Sequence, residues 1–146
     1  MRYLLDTGIL IRLPHRTDAF HAIIRQSLVR LGANGHTFVT GTQNMAEFWN
    51  VCTRPASARG GLGLEIDVVR KRLRMLERFI AVLHETDFSY ATWKSLVVTQ
   101  KVHGKQVHDA RLAAIMIAHR IRRILTLNSI DFVRYPGIEP IAPEQV

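Results

Sequence analysis

The chain of 146 residues holds one cysteine, Cys52, so neither an internal disulfide framework nor a zinc site built on thiolates is open to it. It has no apolar run near the roughly 18 residues that a membrane-spanning helix requires. The amino terminus, Met1-Arg2-Tyr3-Leu4-Leu5-Asp6, puts a carboxylate where a signal peptide needs uninterrupted apolar residues, so a cytoplasmic protein away from membranes is expected. Internal repeats and low-complexity tracts are missing, and only Pro55 to Gly63 reads as a linker-like surface loop. Seven histidines include no HExxH and no paired spacing, and neither Gly60-Gly61-Leu62-Gly63 nor Gly104-Lys105-Gln106 leads into the Lys-Ser/Thr of a phosphate loop. Acid is scarce as well: 12 Asp and Glu face 20 Lys and Arg, a net charge of +8. That excess favours a polyanionic partner.

What is present suits a globular chain. With 47% apolar and 22% charged residues, residues 1–146 suffice for one packed domain and are too few for two comfortable ones. Arg2 to Leu5 reads as a short buried strand ended by Asp6-Thr7-Gly8, and Ile9 to Leu13 as one or two helical turns stopped by Pro14. Thr17 is placed as the cap of a helix to about Leu31, with Ala19, Ile23, Leu28 and Leu31 inward and Gly32 and Gly35 ending it. His36 to Thr40 is a second strand. Gln43 to Thr53 sets Met45, Phe48, Trp49 and Cys52 on one helical face, which makes Cys52 a core residue. Ile66, Val69, Leu73, Leu76, Ile80 and Leu83 form the stripe of the next helix, opposite Lys71, Arg74 and Arg78, with a short strand near Val82 to His84. Phe88 to Gln100 reads as helix. Val107 to Ile121 is apolar almost all round and is expected as a central helix buried on more than one face. Arg123 to Leu127 is a strand, Asn128 to Phe132 a turn and Ile138 to Ile141 a last strand. Strands alternating with helices imply parallel crossovers, hence a three-layer α/β domain with a central parallel sheet of about five strands flanked by helices.

The few acids are placed tellingly. Asp6 directly follows the first strand, and Asp131 lies just beyond the strand Ile124-Leu125-Thr126-Leu127. Open parallel sheets bind ligands outside the carboxyl ends of their strands, near the point where strand order reverses. Asp109 falls in the first turns of the buried helix, and Glu47 in the helix after the second strand, hence at the same edge. Four carboxylates in one cleft repel one another and raise one another's pKa. A hard divalent cation, Mg²⁺ or Mn²⁺, resolves that conflict and suits oxygen-only ligands. Each acid also has a plainer reading: Asp6 and Asp109 as helix caps, Glu47 as a solvated side chain, Asp131 as a turn residue. Spacing alone leaves both readings open.

The text around the four acids resembles a family. Leu4-Leu5-Asp6-Thr7-Gly8-Ile9-Leu10, Gln43-Asn44-Met45-Ala46-Glu47-Phe48-Trp49-Asn50-Val51, Lys105-Gln106-Val107-His108-Asp109-Ala110-Arg111-Leu112 and Leu125-Thr126-Leu127-Asn128-Ser129-Ile130-Asp131-Phe132 are similar to the four acidic motifs of PIN domains, most closely the VapC-type toxins. The resemblance runs in order from Arg2 to about Pro143. It implies a PIN-like fold and a metal-dependent endoribonuclease acting on RNA, usually a homodimer neutralised by a cognate antitoxin protein. On it, Asp6 and Asp109 are the principal metal ligands, Glu47 binds the metal or orients the attacking water, and Asp131 completes the quartet. Thr7, Thr126 and Asn128 are implied to orient those carboxylates. The chain departs from the pattern at Gly8, where the first motif usually carries Asn or Ser, and so lacks a side-chain hydrogen-bond donor near Asp6.

Among the cations, Arg111 follows Asp109 by two residues and Lys105 precedes it by four, so both are candidates for a bound phosphate, Arg111 the better because guanidinium grips phosphate bidentately. Their plainer reading is a solvated helix face, as it is for Lys71, Arg74 and Arg78 and for the cluster His119, Arg120, Arg122 and Arg123. Trp49 and Trp93 are expected to pack rather than stack a base. Two other functions fit parts of the sequence. One is an RNA-binding or interaction module of the same fold whose site has decayed, for which Gly8 alone speaks. The other is a phosphoryl-transfer domain of the haloacid dehalogenase or response-receiver kind, against which stand Gly8 in place of a second Asp and the lack of an adjacent acidic pair.

Overall fold

In the computed structural model, which describes all residues from Met1 to Val146, five short apolar runs form strands: β1 (Arg2–Leu5), β2 (Thr37–Gly41), β3 (Ile80–Leu83), β4 (Arg123–Leu125) and β5 (Glu139–Ile141). Six helices connect them: α1 (Thr7–Arg12), α2 (His21–Ala33), α3 (Thr42–Thr53), α4 (Ile66–Glu77), α5 (Asp87–Thr99) and α6 (Val107–Ala118). All four strand pairings are parallel, in the order β3-β2-β1-β4-β5. The chain thus builds outward from β1 in one direction, then returns to its other side, and the reversal falls between β1 and β4. No helix is long and apolar enough to cross a membrane.

Alternation along β1 sorts the core into two layers. Leu4 joins Val39, Leu83 and Ile124 beneath α5 and α6, whereas Tyr3 and Leu5 join Phe38, Ile80 and Leu125 beneath α1 to α4. This is the expected three-layer arrangement. Helix α6 is the central one: Ala110 and every residue from Leu112 to Met116 are buried. Cys52 is fully buried beside Phe48, and Trp93 packs half-buried with its indole N–H donating to the Val107 carbonyl at 3.1 Å.

The structure corrects several expected boundaries. Helix α2 starts at His21, not at Thr17; Asp18 accepts a hydrogen bond from the Phe20 amide at 2.9 Å, so this stretch turns before the helix begins. Ala19 is therefore exposed, Ile24 and Ser27 face inward, and Gly32 lies inside the helix, which ends before Gly35 at φ +78°. The stripe from Ile66 to Leu83 belongs to two elements, because the helix stops at Glu77 and Ile80 and Leu83 pair with Phe38 and Gly41 of β2. Strand β3 thus starts two residues before the expected Val82. Helix α6 ends at Ala118 rather than Ile121, and β4 is confined to Arg123–Leu125 because Thr126 already turns its hydroxyl toward Asp6.

Because the run from Leu112 to Met116 in α6 is wholly buried, truncation there leaves a cavity that the sheet cannot close. Ile115→Ala is expected to destabilise the fold by about 3 kcal/mol, read as a lower urea midpoint with an unchanged slope.

Candidate active site

The four acids come from four separated segments and line one cleft of about 270 Å³, together with Thr7, Gly8, Arg12, Leu127, Asn128 and Phe132. The cleft opens at the carboxyl ends of β1 and β4, where strand order reverses. Asp6 stands there because its amide extends the β1–β4 ladder by one bond, to the Leu125 carbonyl at 3.1 Å. One carboxylate oxygen accepts from the Thr7 amide at 2.7 Å and caps α1, and the other accepts from the buried Thr126 hydroxyl at 2.7 Å. The cap reading of Asp6 holds, and the same residue also lines the cleft.

Glu47 is fixed at both oxygens. The Thr7 hydroxyl donates to Oε2 at 2.6 Å and the Gln43 amide to Oε1 at 3.0 Å. Thr7 in turn accepts from the buried Asn44 side chain at 3.0 Å, and Asn44 Oδ1 receives the Gly41 amide at 3.1 Å. A Cβ on Gly41 would sit 3.0 Å from that oxygen, so the turn into α3 is held tightly around Asn44. Gln43 also donates to the His108 carbonyl at 3.2 Å, tying α3 to the start of α6 and hence to Asp109. Sequence reasoning assigned no role to Gln43 or Asn44, although their i, i+4 and i, i+3 spacing to Glu47 puts all three on one helix face.

Thr126 accepts the Asn128 amide at 3.0 Å, so Asn128 contributes its backbone to this network while its residue lines the cleft. Asp131 lies in a short 3-10 turn, Ser129–Asp131, and lines the cleft as the charge that acts most strongly on Asp109. Two predicted residues stand outside. Arg111 pairs with Glu85 and lines a separate recess with Ser89, Tyr90, Trp93 and Ile115, because two residues along α6 turn it away from Asp109. Lys105 is exposed in the 3-10 turn before α6 and does not line the cleft. The cations Arg120, Arg122 and Arg123 gather with Arg2 at the opposite, amino-terminal edge of the sheet.

Crowding shows in the acid–base chemistry. Burial pushes the Asp6 carboxyl up, aided by Glu47 and Asp131 and opposed by the hydrogen bonds from Thr126 and Thr7. Asp109 is raised to about 6, chiefly by burial and then by Asp131, Asp6 and Glu47, with only His108 opposing. No three acidic, His or Cys side chains are gathered tightly enough to chelate one ion between them. The donor set still fits a hard cation of the Mg²⁺ kind, which takes one or two carboxylates and keeps its remaining positions for water and phosphate. Asp6 and Asp109, whose carboxyls are raised chiefly by burial, would be the residues to hold it.

An acid with a raised folded-state pKa keeps its proton where the unfolded chain has already released it, so stability falls as pH climbs from about 4 to about 6. Asp109→Asn removes this penalty. In EDTA the variant is expected to be more stable than the wild type at pH 7.5 by on the order of 1 kcal/mol, allowing for solvent screening, and no more stable at pH 4. Denaturant unfolding at the two pH values measures both.

Comparison with known proteins agrees with this fold. No curated protein matches the sequence significantly. Among solved structures, VapBC2 from Rickettsia felis, bound to a DNA fragment from its promoter, superposes with a TM-score of 0.72 at 16% identity, covering 97% of this chain and 98% of that one. VapBC-1 from nontypeable Haemophilus influenzae gives 0.72 at 18%, covering 99% of both chains. Mycobacterium tuberculosis VapC20, a toxin that cleaves the sarcin-ricin loop, gives 0.58 at 21%, covering 84% and 86%. At these identities the likeness is one of fold. The PIN domain profile matches residues 3–138, which take in all four acids and the whole sheet but its last strand. The chain belongs to the PIN domain family.

Proposed function

We infer that the protein is a metal-dependent endoribonuclease, the toxin half of a toxin–antitoxin pair. The observation that carries this is the convergence of Asp6, Glu47, Asp109 and Asp131 on one cleft at the sheet's switch point in a chain of net charge +8. Asp6 and Asp109 would hold Mg²⁺ or Mn²⁺, with Asp131 available to a second ion. When bound, such a cation offsets negative charge developing on a phosphodiester and makes water a better nucleophile. Glu47, held at both oxygens by Thr7 and Gln43, orients that water, and the Thr126 hydroxyl keeps Asp6 aimed into the cleft. Hydrolysis in this arrangement leaves a 3′-hydroxyl and a 5′-phosphate.

A partner is supported by the fold neighbours, several of which are toxin–antitoxin complexes, and by a groove of about 840 Å³ that shares no lining residue with the acidic cleft. Seven of its 11 lining residues are apolar, among them Leu13, Leu28, Phe38, Met75 and Phe79, which suits an apolar segment of an antitoxin. The homodimer expected of such toxins belongs to the same reading. Against a decayed site stands the fact that Asp6 keeps its hydrogen bonds from Thr7 and Thr126 without help from residue 8.

Purified protein is expected to cut single-stranded RNA in Mg²⁺ or Mn²⁺ and to stop in EDTA, and Asp6→Asn should lower the rate by orders of magnitude. Cleavage retained by the Asp6→Asn, Asp109→Asn double variant would refute the reading. Because ion binding needs the Asp109 carboxylate, Mn²⁺ affinity measured by calorimetry should be at least about fourfold weaker at pH 5.5 than at pH 7.5.

A further inference from the structure

Ten residues line the acidic cleft, and Arg12 is the only one of them carrying a positive charge. A polyanion entering a cleft walled by four carboxylates meets repulsion everywhere except at this side chain. Arg12 ends α1, one helical turn beyond Gly8, and its Nη1 donates to the Gly8 carbonyl at 3.2 Å. A Cβ built on Gly8 would meet that same Nη1 at 3.5 Å, with Leu127 Cδ1 next at 3.9 Å. The guanidinium therefore occupies space beside which any longer side chain at position 8 would have to fit.

Arg12 is held without being consumed. Its guanidinium carbon lies 5.7 Å from the centre of the Phe20 ring. Arg12 forms a salt bridge with Asp18 on its Nε side, at 3.6 Å, a distance beyond hydrogen-bond range that leaves the buried Nε without a hydrogen-bond partner and the terminal nitrogens unpaired by any carboxylate. Of the five N–H groups of a guanidinium, only the one directed at Gly8 is engaged in a hydrogen bond. The result is a positioned, half-buried cation with a vacant fork on the wall of a cleft suited to phosphodiester chemistry.

We propose that Arg12 grips a backbone phosphate of the RNA strand lying over the acids, and that the missing side chain at Gly8 makes room for it to do so. This rests on the reading of the cleft as a ribonuclease site. It assigns to Arg12 the contact that the sequence alone suggested for Arg111.

The test is fluorescence anisotropy of a labelled single-stranded oligoribonucleotide with the full chain in EDTA, where cleavage cannot interfere, beside cleavage rates in Mn²⁺. Arg12→Gln is expected to weaken binding about tenfold and to flatten the dependence of log affinity on log salt by about 0.7, the share of one phosphate contact. Arg12→Lys should restore the salt slope but only part of the affinity. Gly8→Asn should weaken binding in the wild-type background and add nothing in the Arg12→Gln background, since both changes act on one contact. Thermal unfolding of each variant separates this from a tether role: a lower Tm with unchanged affinity and salt slope would overturn the proposal. So would an Arg12→Gln protein that binds RNA as the wild type does while the wild type cleaves. If the wild type neither binds nor cuts RNA, the ribonuclease reading fails and takes this one with it.

Discussion

Four carboxylates cannot share a small, partly dry cleft unless something else holds them there, and the fold supplies that restraint through two threonine hydroxyls. Thr126, at the end of β4, clamps Asp6, and Thr7, at the start of α1, clamps Glu47. Both threonines are buried, so each hydroxyl spends its hydrogen on a carboxylate in preference to water. The β1–β4 junction is consequently both the mechanical centre of the sheet and the anchor of its chemistry. Burial, with repulsion from the other acids added to it, raises Asp109, a destabilising feature that the packed layers above and below can absorb.

Much of the fold was legible because its elements are short and self-contained in sequence. Each strand is an apolar run bounded by polar or glycine-bearing turns, and the enclosed α6 announces itself by lacking a polar face. Legibility failed where distant pairing decided the outcome. Ile80 and Leu83 sit at a spacing that serves helix and strand equally, and only their neighbours in β2 assign them to the sheet. The start of α2 was misplaced because a local Asx turn at Asp18 competes with the cap expected from Thr17.

The candidate site was legible in part, and by a different signal. Scarcity made the acids conspicuous, and their positions after strands put them at one edge before any contact was known. The cations resisted the same treatment, since 20 of them offer too many choices and proximity in sequence to Asp109 is a poor guide around a helix. Arg111 lies two residues away and turns into another recess, whereas Arg12, far from Asp109 along the chain, lines the same cleft. Gln43 and Asn44 escaped notice because amides carry no charge to draw the eye, yet they connect α3 to α1 and α6.

The separation of charge along the strands has a bearing on how a polyanion meets the molecule. Arg2, Arg120, Arg122 and Arg123 crowd the edge where strands begin, while the acids occupy the edge where they end. On the proposed reading, this local excess of cations would attract a polyanion toward the edge opposite the acids. Capture and turnover would then be spatially distinct events. Added electrolyte would slow the first by screening the distant field.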